Sequence, residues 1–119
     1  MKTTLVFGAS LNPNRYSNLA INKLRSKKIE TTAFGLRGGT VADVQIGTDL
    51  NKIQNIHTIT LYLNAKRQKE YYEQIIGLKP QRVIFNPGTE NPEFYTLLRK
   101  SEIMVEEACT LVLLATDQY

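Results

Sequence analysis

The order in which strands and helices follow one another constrains the fold of this chain more than any other feature of its sequence. Short runs rich in apolar and β-branched residues, typical of strands, alternate with segments whose apolar residues recur at helical spacing. The predicted strands span residues 3–8, 29–34, 57–63, 82–85 and 103–105, with a shorter sixth candidate at 44–46. The predicted helices span residues 17–27 with Ser17 as the N-cap, 65–78, a segment that Asn91 caps and Pro92 begins, and a short helix in the tail 108–116, for which a strand is the alternative. One helical turn is predicted at residues 49–53, with Thr48 or Asp49 as its cap.

Such alternation implies a parallel sheet, because each helix carries the chain back across one face to the start of the next strand. We therefore expect an α/β, doubly wound, mainly parallel sheet of five to six strands with helices on both faces. In that arrangement ligands bind beyond the carboxyl ends of the strands, where the strand order reverses. The 119 residues suffice for one core, so we expect a single domain over residues 1–119.

Composition argues against several classes of protein. The apolar run Leu111–Ala115 is far shorter than the roughly 20 residues that cross a bilayer. The chain has a net charge of +4, but its sequence lacks the pattern of aromatic and basic residues that is typical of an RNA-binding sheet. A single cysteine, Cys109, excludes an intramolecular disulfide framework, suits a reducing cytoplasm and, with one histidine, speaks against a zinc site. We expect a cytoplasmic protein without membrane, nucleic-acid or metal partners, and homo-oligomerisation stays open.

The loop after the first strand, GASLNPNRYS at residues 8–17, has chemistry suited to a phosphate group. Gly8 allows a sharp turn and the close approach of an anion to the backbone. The N–H groups of Ala9 and Ser10 and the helix N-terminus near Ser17 would face that anion, and Arg15 offers a charged fork. The same residues also fit an ordinary strand-to-helix turn with a solvated arginine, and the residues alone leave both interpretations open.

The end of the second strand indicates which nucleotide would bind. The G-x-G-x-x-G fingerprint of dinucleotide-binding proteins is absent, since Gly8 is the only glycine of the first loop. The acid that holds an unmodified ribose is absent too, and Gly35, Leu36 and Arg37 stand where it would be expected. An arginine at that place favours a ligand with a phosphate on or near the ribose, such as NADP or coenzyme A, over NAD.

The first loop resembles the G-A-S-x-N-P-x-R-x-S loop of small stand-alone CoA-binding domain proteins. These are Rossmann-like domains, similar to the CoA-binding domain of the succinyl-CoA synthetase alpha subunit. VIFNPGTEN at 83–91 and VEEAC at 105–109 resemble later segments of the family, so the resemblance covers essentially the whole chain. It implies a Rossmann-like fold and a ligand that is coenzyme A or an acyl-CoA.

The resemblance also implies three groups of site residues. The first loop would bind the pyrophosphate through Gly8, Ala9, Ser10, Asn12, Arg15 and Ser17, with Pro13 as a further loop residue of the site. The segment after the second strand would contact the adenosine through Gly35, Leu36 and Arg37. Two later loops would close the pocket through Asn64, Asn86, Pro87 and Gly88.

No catalytic set can be assembled from the residues that could carry one. His57, the only histidine, opens a strand at its N-terminal end, away from the ligand-binding edge. Cys109 precedes a run of apolar residues, which is typical of an inert thiol. The leading hypothesis is therefore a non-enzymatic protein that binds coenzyme A or an acyl-CoA. The alternatives are a small enzyme dependent on NADP or another nucleotide, and an interaction domain without a ligand.

Overall fold

The strands pair into one seven-stranded sheet in the order β3-β4-β2-β1-β5-β6-β7. A computed structural model describes residues 2–119. The strands are β1 (Thr4–Phe7), β2 (Thr31–Phe34), β3 (Gly39–Val41), β4 (Val44–Gly47), β5 (Thr58–Leu61), β6 (Arg82–Phe85) and β7 (Met104–Glu107). Every neighbouring pair is parallel except β3 with β4. The doubly wound, mainly parallel architecture is therefore confirmed.

Helices cover both faces of the sheet. They are α1 (Tyr16–Ser26), α2 (Ala65–Gln68), α3 (Tyr72–Gly77), α4 (Pro92–Lys100) and α5 (Thr110–Ala115). Successive side chains of β1 point to opposite faces. Leu5 and Phe7 join the core beneath α3 and α4, and Val6 joins the core beneath α1 and α5. No helix within residues 2–119 combines the length and the apolar character that a bilayer-spanning helix needs.

The sheet has seven strands rather than the expected five to six because of a hairpin at one edge. Strand β3 pairs antiparallel with β4 through a two-residue turn of Ala42 and Asp43, and Ala42 has a φ of 54°. Ala-Asp is not one of the glycine-containing pairs that mark such a turn in a sequence. Arg25 of α1 fixes the turn through two bonds to the Asp43 carboxylate, of 2.7 and 2.9 Å. The hairpin is thus held by a residue far from it in the chain.

The helix starts agree with the prediction at two places and differ at one. Asn91 caps α4 by accepting from the Phe94 N–H, and Pro92 opens that helix. Asp49 likewise caps a short 3-10 helix, Leu50–Lys52, as expected. Helix α1 begins at Tyr16, so Ser17 lies inside it instead of capping it. The reason is the preceding turn, in which the Asn12 carbonyl accepts from the Arg15 N–H at 3.1 Å and already leads the chain into the helix.

The helix predicted over residues 65–78 is divided into α2, a 3-10 turn at Lys69–Tyr71, and α3. Side chains three residues apart lie directly above one another in a 3-10 helix. Gln68 is fully buried, and Tyr71 packs edge-on against Phe7 and Phe34 with ring centroids 5.2 and 5.8 Å apart. The tightened turn therefore directs both Gln68 and Tyr71 toward the sheet.

The point where the strand order reverses lies between β1 and β5. From the central β1, the chain first builds the sheet toward β2 and β4, then returns to build β5, β6 and β7 on the other side. The loops that follow β1 and β5 therefore diverge at the carboxyl edge and leave a crevice between them.

Candidate functional site

A cleft of about 660 Å³ opens at this crevice. Its volume falls in the range of about 300–1,000 Å³ that is typical of small-molecule sites. One side, here called the β1–β2 wall, is made by residues 8–12, 15–17 and 34–37. The opposite side, the β5–β6 wall, is made by residues 62–64, 67, 71 and 87–89. Residues from four separate loops therefore share one concave surface.

Most of the residues predicted for the site line this cleft. They are Gly8, Ala9, Ser10, Asn12, Arg15, Ser17, Gly35, Leu36, Arg37, Asn64, Pro87 and Gly88. Pro13 and Asn86 are not in its walls. The prediction missed other lining residues: Leu11, Tyr16, Phe34, Tyr62, Leu63, Arg67, Tyr71 and Thr89. Most of these are apolar or aromatic residues, whose patterns also fit an ordinary core.

Asn86 lies beneath the cleft, where it holds three segments together. Its side chain is buried and donates to Thr60 Oγ1 at 2.8 Å and to the Leu61 carbonyl at 2.9 Å. Its Oδ1 accepts from the Thr110 N–H at 2.9 Å. Because both ends of the amide are bound to the protein, Asn86 positions β5 and α5 instead of facing a ligand.

The first loop begins at Gly8, in a conformation that only glycine adopts readily, and continues with Ala9. Gly8 has a φ of +93°, and a Cβ there would lie 3.1 Å from Leu63 Cδ2. The N–H groups of both Gly8 and Ala9 donate to the Phe34 carbonyl, at 2.9 and 2.8 Å. The Ala9 N–H, predicted to face an anion, is therefore occupied by β2.

Other backbone donors of the first loop remain available to a ligand. Among residues 2–119, none accepts from the N–H of Ser10, Leu11, Tyr16 or Ser17. Tyr16 and Ser17 form the first turn of the eleven-residue α1, where the helix dipole favours a negative charge. The Ser10 hydroxyl accepts from the Asn12 N–H at 3.1 Å, which leaves its own hydrogen free to donate. These donors suit a phosphate better than the predicted Ala9 amide does.

The electrostatic character of the cleft is set by arginine. Arg15, Arg37 and Arg67 line it, and the lining includes no carboxylate. The ion pairs of the described chain involve Arg25, Lys27 and Arg82, so the arginines of the cleft are not neutralised by an acidic side chain. Three unpaired cations around a concave surface concentrate a positive potential there.

Gly35 has a structural reason to be glycine. A Cβ at Gly35 would lie 2.4 Å from the Ala9 carbonyl oxygen, a distance that forces the backbone to shift. Gly35 thus lets the loops after β1 and β2 touch. The following Leu36 is 71% exposed at the rim, and so is Tyr16 across the loop. Exposed apolar side chains of this size provide a surface for a flat or apolar part of a ligand.

A buried glutamine fixes the β5–β6 wall. Gln68 Nε2 donates to the carbonyls of Leu63 and Thr89, at 2.8 Å each, and so joins the loop after β5 to the loop after β6. Its Oε1 accepts from Asn91 Nδ2 at 2.9 Å. The sequence carried only a weak signal for this role, a polar residue on the inner side of a predicted helix.

The lining of the cleft contains no histidine, cysteine, aspartate or glutamate. His57 lies before β5 at the opposite edge of the sheet, with Nδ1 2.8 Å from Thr58 Oγ1. Burial raises the pKa of Tyr62 to about 12, so its hydroxyl stays protonated at neutral pH. In the part of the chain that the structure describes, no three potential metal-ligating side chains gather. The arrangement is suited to holding an anionic ligand.

Comparisons with known proteins found a matching family model and several similar solved structures. Residues 2–115 match a family described as CoA binding domain. A crystal structure of an uncharacterized protein shares 40% identity over all of this chain and 98% of that one, with a TM-score of 0.95. A Thermus thermophilus protein of 18% identity superposes with a TM-score of 0.88 over 99% of this chain and 90% of its own. The comparison with curated proteins found no match.

One similar structure is of a much longer chain. An oxidoreductase from Bacillus cereus is 24% identical, with a TM-score of 0.60, over 89% of this chain but only 34% of its own length. At that identity the likeness concerns the fold alone.

Proposed function

This chain belongs to the CoA binding domain family, and on that premise we propose that it binds coenzyme A or an acyl-CoA in the cleft without catalysing a reaction. The observation that carries the proposal is the charge of the cleft: three arginines, free amides at the start of α1, and no carboxylate. Coenzyme A carries its negative charge on a pyrophosphate and a 3′-phosphate, which such a surface would neutralise.

The first loop supplies the pyrophosphate site in this proposal. The amides of Tyr16 and Ser17 and the hydroxyl of Ser10 would donate to phosphate oxygens, and Arg15 would add a charged fork. Gly8 would let the phosphate come close to the backbone, because no Cβ stands in its way. These residues lie together in the β1–β2 wall.

The segment after β2 supplies the adenosine end. Arg37 is exposed at the rim and would meet the 3′-phosphate, and the exposed Leu36 would pack against the adenine. The neutral pantetheine arm would then run along the β5–β6 wall, past Leu63, Tyr71 and Pro87. Because no acid, imidazole or thiol lines this path, we propose a role in binding or carrying the thioester. The single Cys109 is consistent with a cytoplasmic setting.

Calorimetric titration of the purified protein with coenzyme A, dephospho-CoA, NADP and NAD tests the proposal. We expect coenzyme A to bind more tightly than dephospho-CoA, and NAD to bind much more weakly than either. Tightest binding of NADP would favour the alternative of a nucleotide-dependent enzyme, because Arg37 could also hold the 2′-phosphate of NADP. Binding of none of the four would favour an interaction domain without a ligand.

A further inference from the structure

The arginines of the cleft lie on both walls, whereas the charged groups of coenzyme A would lie at only one of them. In the proposed function, on which this inference rests, all phosphates lie at the β1–β2 wall with Arg15 and Arg37. The pantetheine arm contains amides and a thiol but carries no charge at neutral pH. Arg67 nevertheless lies in the β5–β6 wall, along which this neutral arm would run. Arg67 would therefore attract the phosphates only from across the cleft, and coenzyme A itself offers it no charged group for direct contact.

Several polar groups of this wall are already engaged within the protein, although the Tyr62 hydroxyl is buried without a hydrogen-bond partner among residues 2–119. Asn64 Oδ1 accepts from the Arg67 N–H at 2.9 Å, and the Thr89 hydroxyl donates to the Asn86 carbonyl at 2.7 Å. The Gly88 N–H donates to the Glu90 carboxylate at 2.9 Å. The Arg67 guanidinium, by contrast, makes no ion pair or hydrogen bond to a side chain or backbone group of residues 2–119. It is the charged group that this wall presents to a ligand.

The backbone that carries Arg67 is held in place. Arg67 follows the Asn64 cap of α2 and immediately precedes Gln68, whose buried amide binds the loops on both sides. A guanidinium on a fixed helix can bind a carboxylate through two parallel hydrogen bonds at little conformational cost. An arginine is better suited to this than a lysine, because its donors form a rigid fork.

We propose that the cleft prefers a coenzyme A thioester whose acyl group ends in a carboxylate, with Arg67 as the counter-ion of that carboxylate. In this proposal the acyl group would extend from the end of the pantetheine arm along the β5–β6 wall, which carries Arg67. The substrate class is thus a dicarboxylic acid monothioester of coenzyme A, and Arg67 is the residue that determines this specificity.

The test compares glutaryl-CoA with pentanoyl-CoA, which have acyl chains of five carbons and differ in the terminal carboxylate. We expect calorimetry to show glutaryl-CoA binding about tenfold more tightly, the effect of one charge-assisted hydrogen bond. Arg67→Gln is expected to abolish this difference, because it should weaken glutaryl-CoA about tenfold more than pentanoyl-CoA. Succinyl-CoA and butyryl-CoA form a second pair, whose acyl chains of four carbons test a carboxylate that lies closer to the thioester.

Lys66→Gln is the matched control, because Lys66 is the adjacent cation on α2 and lies outside the walls of the cleft. It removes the same charge and should keep the preference for glutaryl-CoA. Equal affinities within both pairs would overturn the inference, and so would an equal loss for all thioesters in Arg67→Gln, which would assign Arg67 to a phosphate. Failure of coenzyme A itself to bind would instead refute the proposed function.

Discussion

At the scale of single residues, Arg37 decides whether the adenosine end is assigned correctly. We expect Arg37→Ala to weaken coenzyme A by about tenfold or more, since a hydrogen bond to a charged group contributes about 1.5–3 kcal/mol. Dephospho-CoA lacks the 3′-phosphate, so its affinity should change little. Calorimetry with both ligands separates this effect from general damage to the cleft, which would weaken both alike. An equal loss for the two would assign the 3′-phosphate to another cation.

Gly8 offers a second test at the residue scale, with a matched control inside the chain. Gly8 and Gly88 share a φ of +93°, but only at Gly8 would a Cβ meet a neighbour. Gly8→Ala and Gly88→Ala should therefore share the strain of a positive φ, and both residues line the cleft, but Gly88 lies in the β5–β6 wall, away from the proposed pyrophosphate site. We expect coenzyme A affinity to fall at least tenfold more in Gly8→Ala. Similar affinities of the two variants, both folded by circular dichroism, would show that the pyrophosphate does not lie at Gly8.

At the scale of elements, the loops of the cleft are fixed by buried amides rather than by their own turn chemistry. Asn86 joins β5, β6 and α5, and Gln68 joins the loops after β5 and β6. Each buried group left without a partner costs about 1–3 kcal/mol. The walls are therefore tied to the sheet beneath them by hydrogen bonds, although they consist of loops.

Asn86→Ala should accordingly lower the free energy of unfolding by about 2 kcal/mol or more, because the Leu61 carbonyl and the Thr110 N–H lose their partner. Asn64→Ala is the comparison, since Asn64 is exposed and caps α2; its loss should cost about 1 kcal/mol. Urea denaturation of both variants measures the difference. If Asn86→Ala were as stable as the parent and bound coenzyme A more weakly, Asn86 would be a ligand-binding residue after all.

At the scale of the whole molecule, contacts with the C-terminal tail hold the edge of the sheet opposite the cleft together. Tyr119 at the tail bonds to Thr4, and the Arg82 guanidinium lies 4.7 Å from the Tyr119 ring centroid. Arg82 also binds Glu106 at 3.0 Å. The tail therefore ties the amino ends of the central strands together, far from the cleft.

His57, at the same edge of the sheet, makes the stability of the folded protein depend on pH. Partial burial, with the nearby charges of Lys2 and Arg82, lowers the pKa of His57 in the folded protein below its ordinary value of 6.5. The unfolded chain then binds more protons below about pH 6.5, so stability falls as the pH drops from that value through the folded pKa. Above pH 6.5 the contribution is constant.

We expect the melting temperature of the parent protein to fall more between pH 7.5 and pH 5 than that of His57→Gln. The difference between the two curves isolates His57, because the remaining titrating groups are common to both proteins. Parallel curves would mean that His57 has the same pKa in the folded and unfolded chains.

The sequence by itself determined the alternation of the six parallel strands with the helices and the edge at which the cleft forms. Runs such as Leu5–Phe7 and caps such as Asn91 with Pro92 depend on local hydrophobic periodicity and on hydrogen bonds within one turn, which neighbouring residues specify. Once strands alternate with helices, the right-handed crossover rule brings the first loop and the later loops to the same edge.

Only the tertiary structure decided which groups in those loops are free. The Ala9 N–H is occupied by the Phe34 carbonyl. The Asn86 amide is occupied by the Leu61 carbonyl and the Thr110 N–H. The β3–β4 hairpin is likewise held through Arg25, and the position of Arg67 through Gln68. Each of these depends on hydrogen bonds between residues about 20 or more positions apart, which folding brings together, so no local pattern in the sequence specifies them.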